Sequence, residues 1–288
     1  MISTQGKTIA VIGATGRQGG QVARHLRQAG WHVRALTRKP ESKKAADLKS
    51  LGMEIVQADM NDKSSLESAF RDAYGVFNMQ APVPGRIEVE IRHGKNVAQA
   101  AKKTGIQHIV YGSAGLGNIK TGIEQWDAKI EVTQAMKDLG LPLTILRPVA
   151  FMELMSDPSY FPNASTWHIW PKLTGADYKI AWISVQDVGA IAATAFANPD
   201  KYIGKELSLV ADVKSLNECR EIYREVNGTY PSRFPMPMFL FEKFVGKDIP
   251  NMWRWLRKNP LTFDSSQTEE IHPEAMTVRS WLQSMKSS

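Results

Sequence analysis

Short aliphatic runs recur through the first half of the chain, beginning near Thr8, Val33, Glu54, Gly75, His108 and Pro142. Between them the apolar positions return every three or four residues: Val22, Leu26 and Ala29, and then stretches within 66–73, 89–103 and 129–139. Alternation of continuous apolar runs with helical periodicity predicts βαβ units, in which each strand is covered by helices on both faces. The pattern therefore predicts an α/β fold built on a doubly wound parallel sheet. After Arg147-Pro148 the rhythm breaks, and 151–178, with Pro158, Pro162, Pro171, Trp167 and Trp170, predicts an irregular segment. One more unit follows, with 179–182 as strand and 185–197 as helix, and 206–210 predicts a final strand. Three helical stretches close the chain. Ser215 with Glu218 forms a capping box for the first, the second lies in 236–258 and the third in 274–285.

The turn after the first strand carries the most specific signal. It runs Gly13-Ala14-Thr15-Gly16-Arg17-Gln18-Gly19-Gly20, directly after 8–12 and directly before the first helical pattern. Gly13 permits a tight turn, Gly16 leaves no side chain between backbone and a pyrophosphate, and Gly19 lets the helix pack closely on the sheet. The helix beginning near Gln18 presents unpaired amide hydrogens and a positive dipole end to phosphates. In this strand–turn–helix context the pattern predicts a Rossmann-type dinucleotide site, with Gly13, Thr15, Gly16, Arg17, Gln18 and Gly19 around the phosphates.

The second strand decides which dinucleotide. Folds selective for NAD place a carboxylate near its tip to bind the adenosine ribose. Here the tip is Ala35-Leu36-Thr37-Arg38-Lys39, with no acid before Glu41. Arg38 and Lys39 suit a 2′-phosphate, so the expected cofactor is NADP(H). The same fold places Asp59 and Met60, after the third strand, near the adenine, and Asn78, Met79 and Gln80, with Ala81-Pro82, alongside the nicotinamide ribose.

Composition narrows the class. The 288 residues are 43% hydrophobic and 23% charged, ordinary for a globular chain. The net charge of +7 is scattered, with no arginine-rich tract or zinc-ligand spacing, so nucleic acid is not expected as a direct partner. Six dispersed histidines give no metal site. Cys219 is the only cysteine, which fits a reducing cytoplasm and a buried structural thiol. No leader or membrane span is expected, and the Asn163 and Asn227 triplets are read as chance occurrences. Phe234, Met236, Met238, Phe239, Phe241, Phe244, Met252, Trp253 and Trp255 form an aromatic and methionine cluster. It either packs a small C-terminal lobe or walls a planar substrate.

Several further stretches resemble the NmrA-like family of atypical short-chain dehydrogenase/reductases. They are the glycine turn, Thr121-Gly122-Ile123 with Trp126-Asp127-Ala128-Lys129, Leu146-Arg147-Pro148 with Phe151-Met152-Glu153, Ile183-Ser184-Val185-Gln186-Asp187-Val188-Gly189-Ala190, and Tyr202-Ile203-Gly204-Lys205. The resemblance implies NADP(H) on a Rossmann domain, 1–150 with 179–212, and a mainly helical substrate lobe, 151–178 with 213–288. It also implies a cofactor-ribose role for Lys129 and places Pro148 and Val149 near the nicotinamide. Some family members resemble NADPH-dependent reductases of quinones, dyes or enones; others bind NADP as redox-sensing regulators that contact proteins.

Short-chain dehydrogenases ordinarily pair a proton-donating tyrosine with a lysine four residues later. Lys129 is present here, but Gln125 stands where the tyrosine would be. Tyr111 lies within a strand and is not assigned that role. Ser113 is either a substrate-facing serine or a hydroxyl capping the turn toward Gly115 and Gly117. Without a dedicated acid, the expected acceptors are those that delocalise incoming charge. Two functions remain open: an NADPH-dependent reductase of planar, electron-poor compounds, and a non-catalytic NADP(H) sensor acting through a protein partner.

Overall fold

The computed structural model describes residues 1–81, 83, 85–156, 165–233 and 235–286. Pro82, Pro158, Pro162, Asn163 and Phe234, singled out from the sequence, lie outside the described residues.

The chain divides into two units, 1–147 with 185–207 and 148–184 with 208–288. In the first, strand and helix alternate as the hydrophobic rhythm predicts: β1 Thr8–Val11, α1 Arg17–Gln28, β2 His32–Thr37, α2 Lys43–Ser50, β3 Glu54–Gln57, α3 Lys63–Phe70, β4 Gly75–Met79, α4 Ile87–Lys103, β5 His108–Gly112, α5 Glu124–Asp138 and β6 Leu143–Pro148. With a later strand (Glu206–Leu209) these form a seven-stranded sheet in the order β3-β2-β1-β4-β5-β6 and then that strand. The registered pairs among the first six strands are all parallel. Ile9, Ala10, Val11, Val76, Phe77, Ile109 and Val110 are fully buried, as a sheet covered on both faces requires.

Parallel strands put all their carboxyl ends on one edge of the sheet, and ligands of such folds bind beyond that edge. Two close helix contacts fix the surroundings. A Cβ at Gly94 of α4 would lie 2.4 Å from Val132 of α5, so only glycine allows these helices their approach. On the other face, Gly189, in the helix Val185–Ala197, would bring a Cβ 2.8 Å from the Gln21 backbone of α1.

The second unit corrects the sequence reading at one strand. Residues 179–182 were expected to extend the parallel sheet; instead β8 (Lys179–Ile183) pairs parallel with β7 (Ala150–Phe151) and antiparallel with β10 (Asp212–Ser215). With β9 (Glu206–Leu209) in the large sheet, β10 completes a separate three-stranded sheet. A self-contained apolar strand carries no signal of which sheet it joins, and β10 is too polar and short to announce itself. The irregular 151–178 stretch holds a 3-10 turn (Met152–Met155), a π-helical turn (Ser165–Ile169) and a short helix (Trp170–Thr174). The expected second C-terminal helix is two, Met238–Val245 and Asp248–Lys258, and Ser266–Ile271 precedes the last, Val278–Lys286.

The aromatic cluster splits in two. Trp170 stacks on Trp253 at 4.9 Å between centroids, Phe241 stacks on Trp253 at 5.7 Å, and Trp170 tilts against Trp182 at 5.5 Å, all four buried. Phe239 and Phe244 are 70% and 71% exposed. The capping box forms as expected: Glu218 N donates to Ser215 Oγ, and Ser215 N to Glu218 Oε2. Cys219 is buried, and burial pushes its thiol well above the usual cysteine range, as a structural thiol requires. Among the described residues no helix is long and apolar enough to cross a membrane.

Candidate active site

The site is built at the carboxyl edge of the first unit's sheet. The turn between β1 and α1 is held by Gly16 N donating to Gly13 O at 2.8 Å and Gly20 N to Gly16 O at 2.9 Å. Gly13 has φ +70°, and a Cβ at Gly19 would stand 2.4 Å from Gly13 O. The first requires glycine for its conformation, the second for want of space. No side chain caps α1, and its first turn holds no acid, so its terminal amides face outward with an uncancelled positive dipole. Gln18 is buried, and its Nε2 donor has no partner among the described residues. A glycine cradle, an uncapped helix start and an orphaned amide fit a pyrophosphate; Thr15 and Arg17, both half-buried, flank the same turn.

The tip of β2 exposes Arg38 and Lys39; Lys39 N donates to Thr37 Oγ1 at 3.1 Å, which turns the chain outward. Beside it, Asp59 Oδ1 accepts from Asn61 N at 2.8 Å and Asn61 Nδ2 at 3.0 Å. Asn61 Oδ1 in turn accepts from Arg92 at 2.9 Å, and His93 Nε2 lies 3.0 Å from it. Burial first, then the Arg92 and Arg38 charges, holds the His93 imidazole below its usual value, with Asp59 pulling the other way. This corner is thus more cationic than the sequence reading allowed. Asn61, Arg92 and His93 escaped it because α4 supplies two of them from some thirty residues downstream. Met60 is held through its carbonyl, which accepts from Asn96 Nδ2 at 2.8 Å.

Further along the edge lies a buried polar group. Lys129, on α5, is only 6% exposed. Its Nζ lies 2.7 Å from Glu90 Oε1 of α4 and donates to the Gln80 carbonyl at 2.8 Å. It also stands 5.9 Å above the Tyr111 ring centroid. Glu90 is 2% exposed, so the pair is almost wholly removed from water. Gln80 Nε2 donates to Asn78 Oδ1, and both residues are buried; Met79, between them, points the other way and is half-buried. Tyr111 is fully buried, and burial, with the Glu90 charge adding to it, raises its phenol well above the usual tyrosine range. Ser113 acts on that phenol in the opposite sense. Ser113 N donates to Leu146 O at 2.8 Å, and its Oγ makes no hydrogen bond into the turn toward Gly115 and Gly117.

Gln125 is half-buried, in the first turn of α5 and one turn before Lys129. The neighbouring motif is structural: Asp127 accepts from Thr121 N at 2.9 Å and Gly122 N at 3.0 Å, fastening the loop that leads into α5. Pro148 is the last residue of β6 and Val149 follows it, both half-buried and both at the start of the second unit. The structure thus brings Gln80, Lys129, Tyr111 and Ser113 together around Glu90, which sequence reasoning missed. A lone Glu in an acidic first helical turn, Glu88 and Glu90, looks like a dipole partner; only the α4–α5 packing shows that it is buried.

The NmrA-like family model matches residues 5–282. The chain belongs to the NmrA-like family. It is 30% identical over 272 residues to the NmrA-like family domain-containing oxidoreductase FrzB of Cladobotryum sp., covering 85% of this chain and 80% of that one. Among solved structures it is similar to the triphenylmethane reductase of Citrobacter sp. (TM-score 0.81, 21% identity, 98% of this chain and 100% of the other). It is similar also to NmrA, a negative transcriptional regulator, in complex with NADP (TM-score 0.76, 20% identity, 97% and 95%). The reductase too is known in complex with NADP(H).

Proposed function

We propose that this protein is a cytoplasmic NADPH-dependent reductase of small, planar, electron-poor acceptors such as quinones, cationic dyes or conjugated enones. The cradle of Gly13, Gly16 and Gly19 with the free start of α1 fits the pyrophosphate, Arg38 and Lys39 fit the 2′-phosphate, and Asp59 and Met60 border the adenine. Asn78, Met79 and Gln80 would line the nicotinamide end. Triphenylmethane reductase and NmrA, known in complexes with NADP(H) and NADP, lend support to that cofactor.

When bound, NADPH supplies a hydride. The chain's own contribution to the reaction rests on one observation: Lys129 is buried, donates to the Gln80 carbonyl and pairs ionically with Glu90, and Gln125 replaces a proton donor one turn earlier. An ammonium has three N–H donors, and with one on the Gln80 carbonyl it retains donors for a ribose hydroxyl or a substrate oxygen. Hydride addition to an isolated ketone creates a strongly basic alkoxide that needs a placed acid. Addition to a quinone leaves a phenolate whose conjugate acid has a pKa of about 10, which water or the Lys129 ammonium can protonate. Ser113 is available to orient the acceptor oxygen.

Loss of NADPH absorbance with purified protein and a panel of quinones, dyes, enones and simple ketones tests this. Turnover is expected with the first three classes and not the last; brisk reduction of simple ketones alone overturns it. Gln125 favours one second reading, a redox sensor that binds NADP(H) without turnover and signals through a protein partner. Tight NADPH binding with no turnover across the panel would establish that reading instead.

A further inference from the structure

We propose that Glu90 is a positioning residue for the nicotinamide end of the site: its buried carboxylate holds the Lys129 side chain in place, so that cofactor affinity depends on a residue of the neighbouring helix. This rests on the reading of Lys129 as a cofactor contact. The geometry is specific. Lys129 Nζ lies 2.7 Å from Glu90 Oε1, and both side chains are almost fully buried. Burying an ammonium is costly unless a counter-charge stands beside it. Glu90 is the one carboxylate within ion-pair distance among the described residues. The other groups facing Nζ are the Gln80 carbonyl from the end of β4 and the neutral Tyr111 ring from β5. Arg147, on β6, acts on Tyr111 from farther off and is engaged by Glu206.

The pair is set by helix packing, not by a loop. Glu90 lies four residues before Gly94, and Lys129 three residues before Val132, so the contact that glycine permits between α4 and α5 is one turn from the pair. The side chains therefore meet before any ligand arrives, and the Lys129 ammonium is positioned in advance.

The test is NADPH affinity at pH 7, followed by nicotinamide fluorescence, in the parent, Glu90→Gln, Glu90→Asp, Lys129→Gln and Glu90→Gln/Lys129→Gln. The expected result is a tenfold or greater loss for Glu90→Gln, affinity within a few fold of the parent for Glu90→Asp, and a double variant no weaker than Lys129→Gln alone. If Glu90→Gln does not fold, the double variant and Lys129→Gln carry the comparison. Parental affinity in Glu90→Gln, or a double variant markedly weaker than Lys129→Gln, overturns the proposal while leaving the cofactor assignment intact. A parent that binds no NADPH at all overturns the functional reading and this inference with it.

Discussion

The two ends of the proposed cofactor site are made in opposite ways. At the adenosine end Arg38 and Lys39 are exposed on a turn, and Arg92 and His93 meet Asn61 through hydrogen bonds open to water. At the nicotinamide end Glu90, Lys129, Tyr111 and Ser113 are buried on two helices and a strand. Exposed charges keep their hydration until a phosphate displaces it, so they contribute selectivity through charge number and are screened by salt. Buried charges have lost their hydration on folding, so each depends on its partner and neither can be removed alone without cost. The first end can change cofactor preference by single substitutions. The second is bound to the stability of the fold.

Removing the exposed end should have the largest effect on binding and almost none on stability. Hydrogen bonds to charged groups contribute about 1.5–3 kcal/mol each, so Arg38→Ala/Lys39→Ala should lose roughly 10² to 10⁴ in affinity for NADPH. NADH affinity and melting temperature should hardly move. Equal losses for the two nucleotides, read by calorimetric titration, would erase the distinction between the ends.

The buried end should behave in reverse. Lys129→Met leaves the Glu90 carboxylate without its partner and should cost about 3–5 kcal/mol of stability, measured by denaturant unfolding. A Lys129→Met protein as stable as the parent would place the pair in a much wetter setting than the one described.

Acid sharpens the contrast next. His108, the first residue of β5, has its imidazole pushed down to about 4 by burial, with Nε2 2.9 Å from Thr144 Oγ1. A histidine neutral in the fold but titrating near 6.5 when unfolded contributes stability that is complete above 6.5. That stability is lost as pH falls toward 4, about 3 kcal/mol in all. Stability of the parent should therefore decline between pH 6.5 and 4, and His108→Gln should flatten that part of the curve. An identical acid limb in both proteins would assign the decline to other groups.

The smallest change tests the helix contact behind the pair. Gly94→Ala, with its Cβ 2.4 Å from Val132, should destabilise by about 1–3 kcal/mol. Val132→Ala in the same chain should restore most of that loss in thermal unfolding. A neutral Gly94→Ala would mean the helices yield easily.

What the sequence disclosed follows the same division. The β1 to β6 rhythm and the glycine turn were legible because each depends on neighbours in the chain: a run of Ile and Val, a glycine three residues from the next. The exposed position of Arg38 and Lys39 after β2 was legible for that reason too. Glu90 was not, since its burial arises only when Gly94 meets Val132, a contact between residues 38 apart in sequence. Nor was the placement of β8, whose partners are the two-residue strand Ala150–Phe151 and the polar Asp212–Ser215. The cluster holding Phe241 and Trp253 was open to two readings, lobe packing or a substrate wall, and gave no sign of the stacking order in which Trp253 lies between Trp170 and Phe241.

Everything said of the site presumes that this edge of the sheet holds a dinucleotide with a third phosphate. Calorimetric titration of the parent protein with NADPH and with NADH, in one buffer at fixed salt, addresses that directly. The expected result is a single saturable site at which NADPH binds at least about a hundredfold more tightly than NADH. Equal affinities, or no heat with either nucleotide, would contradict it.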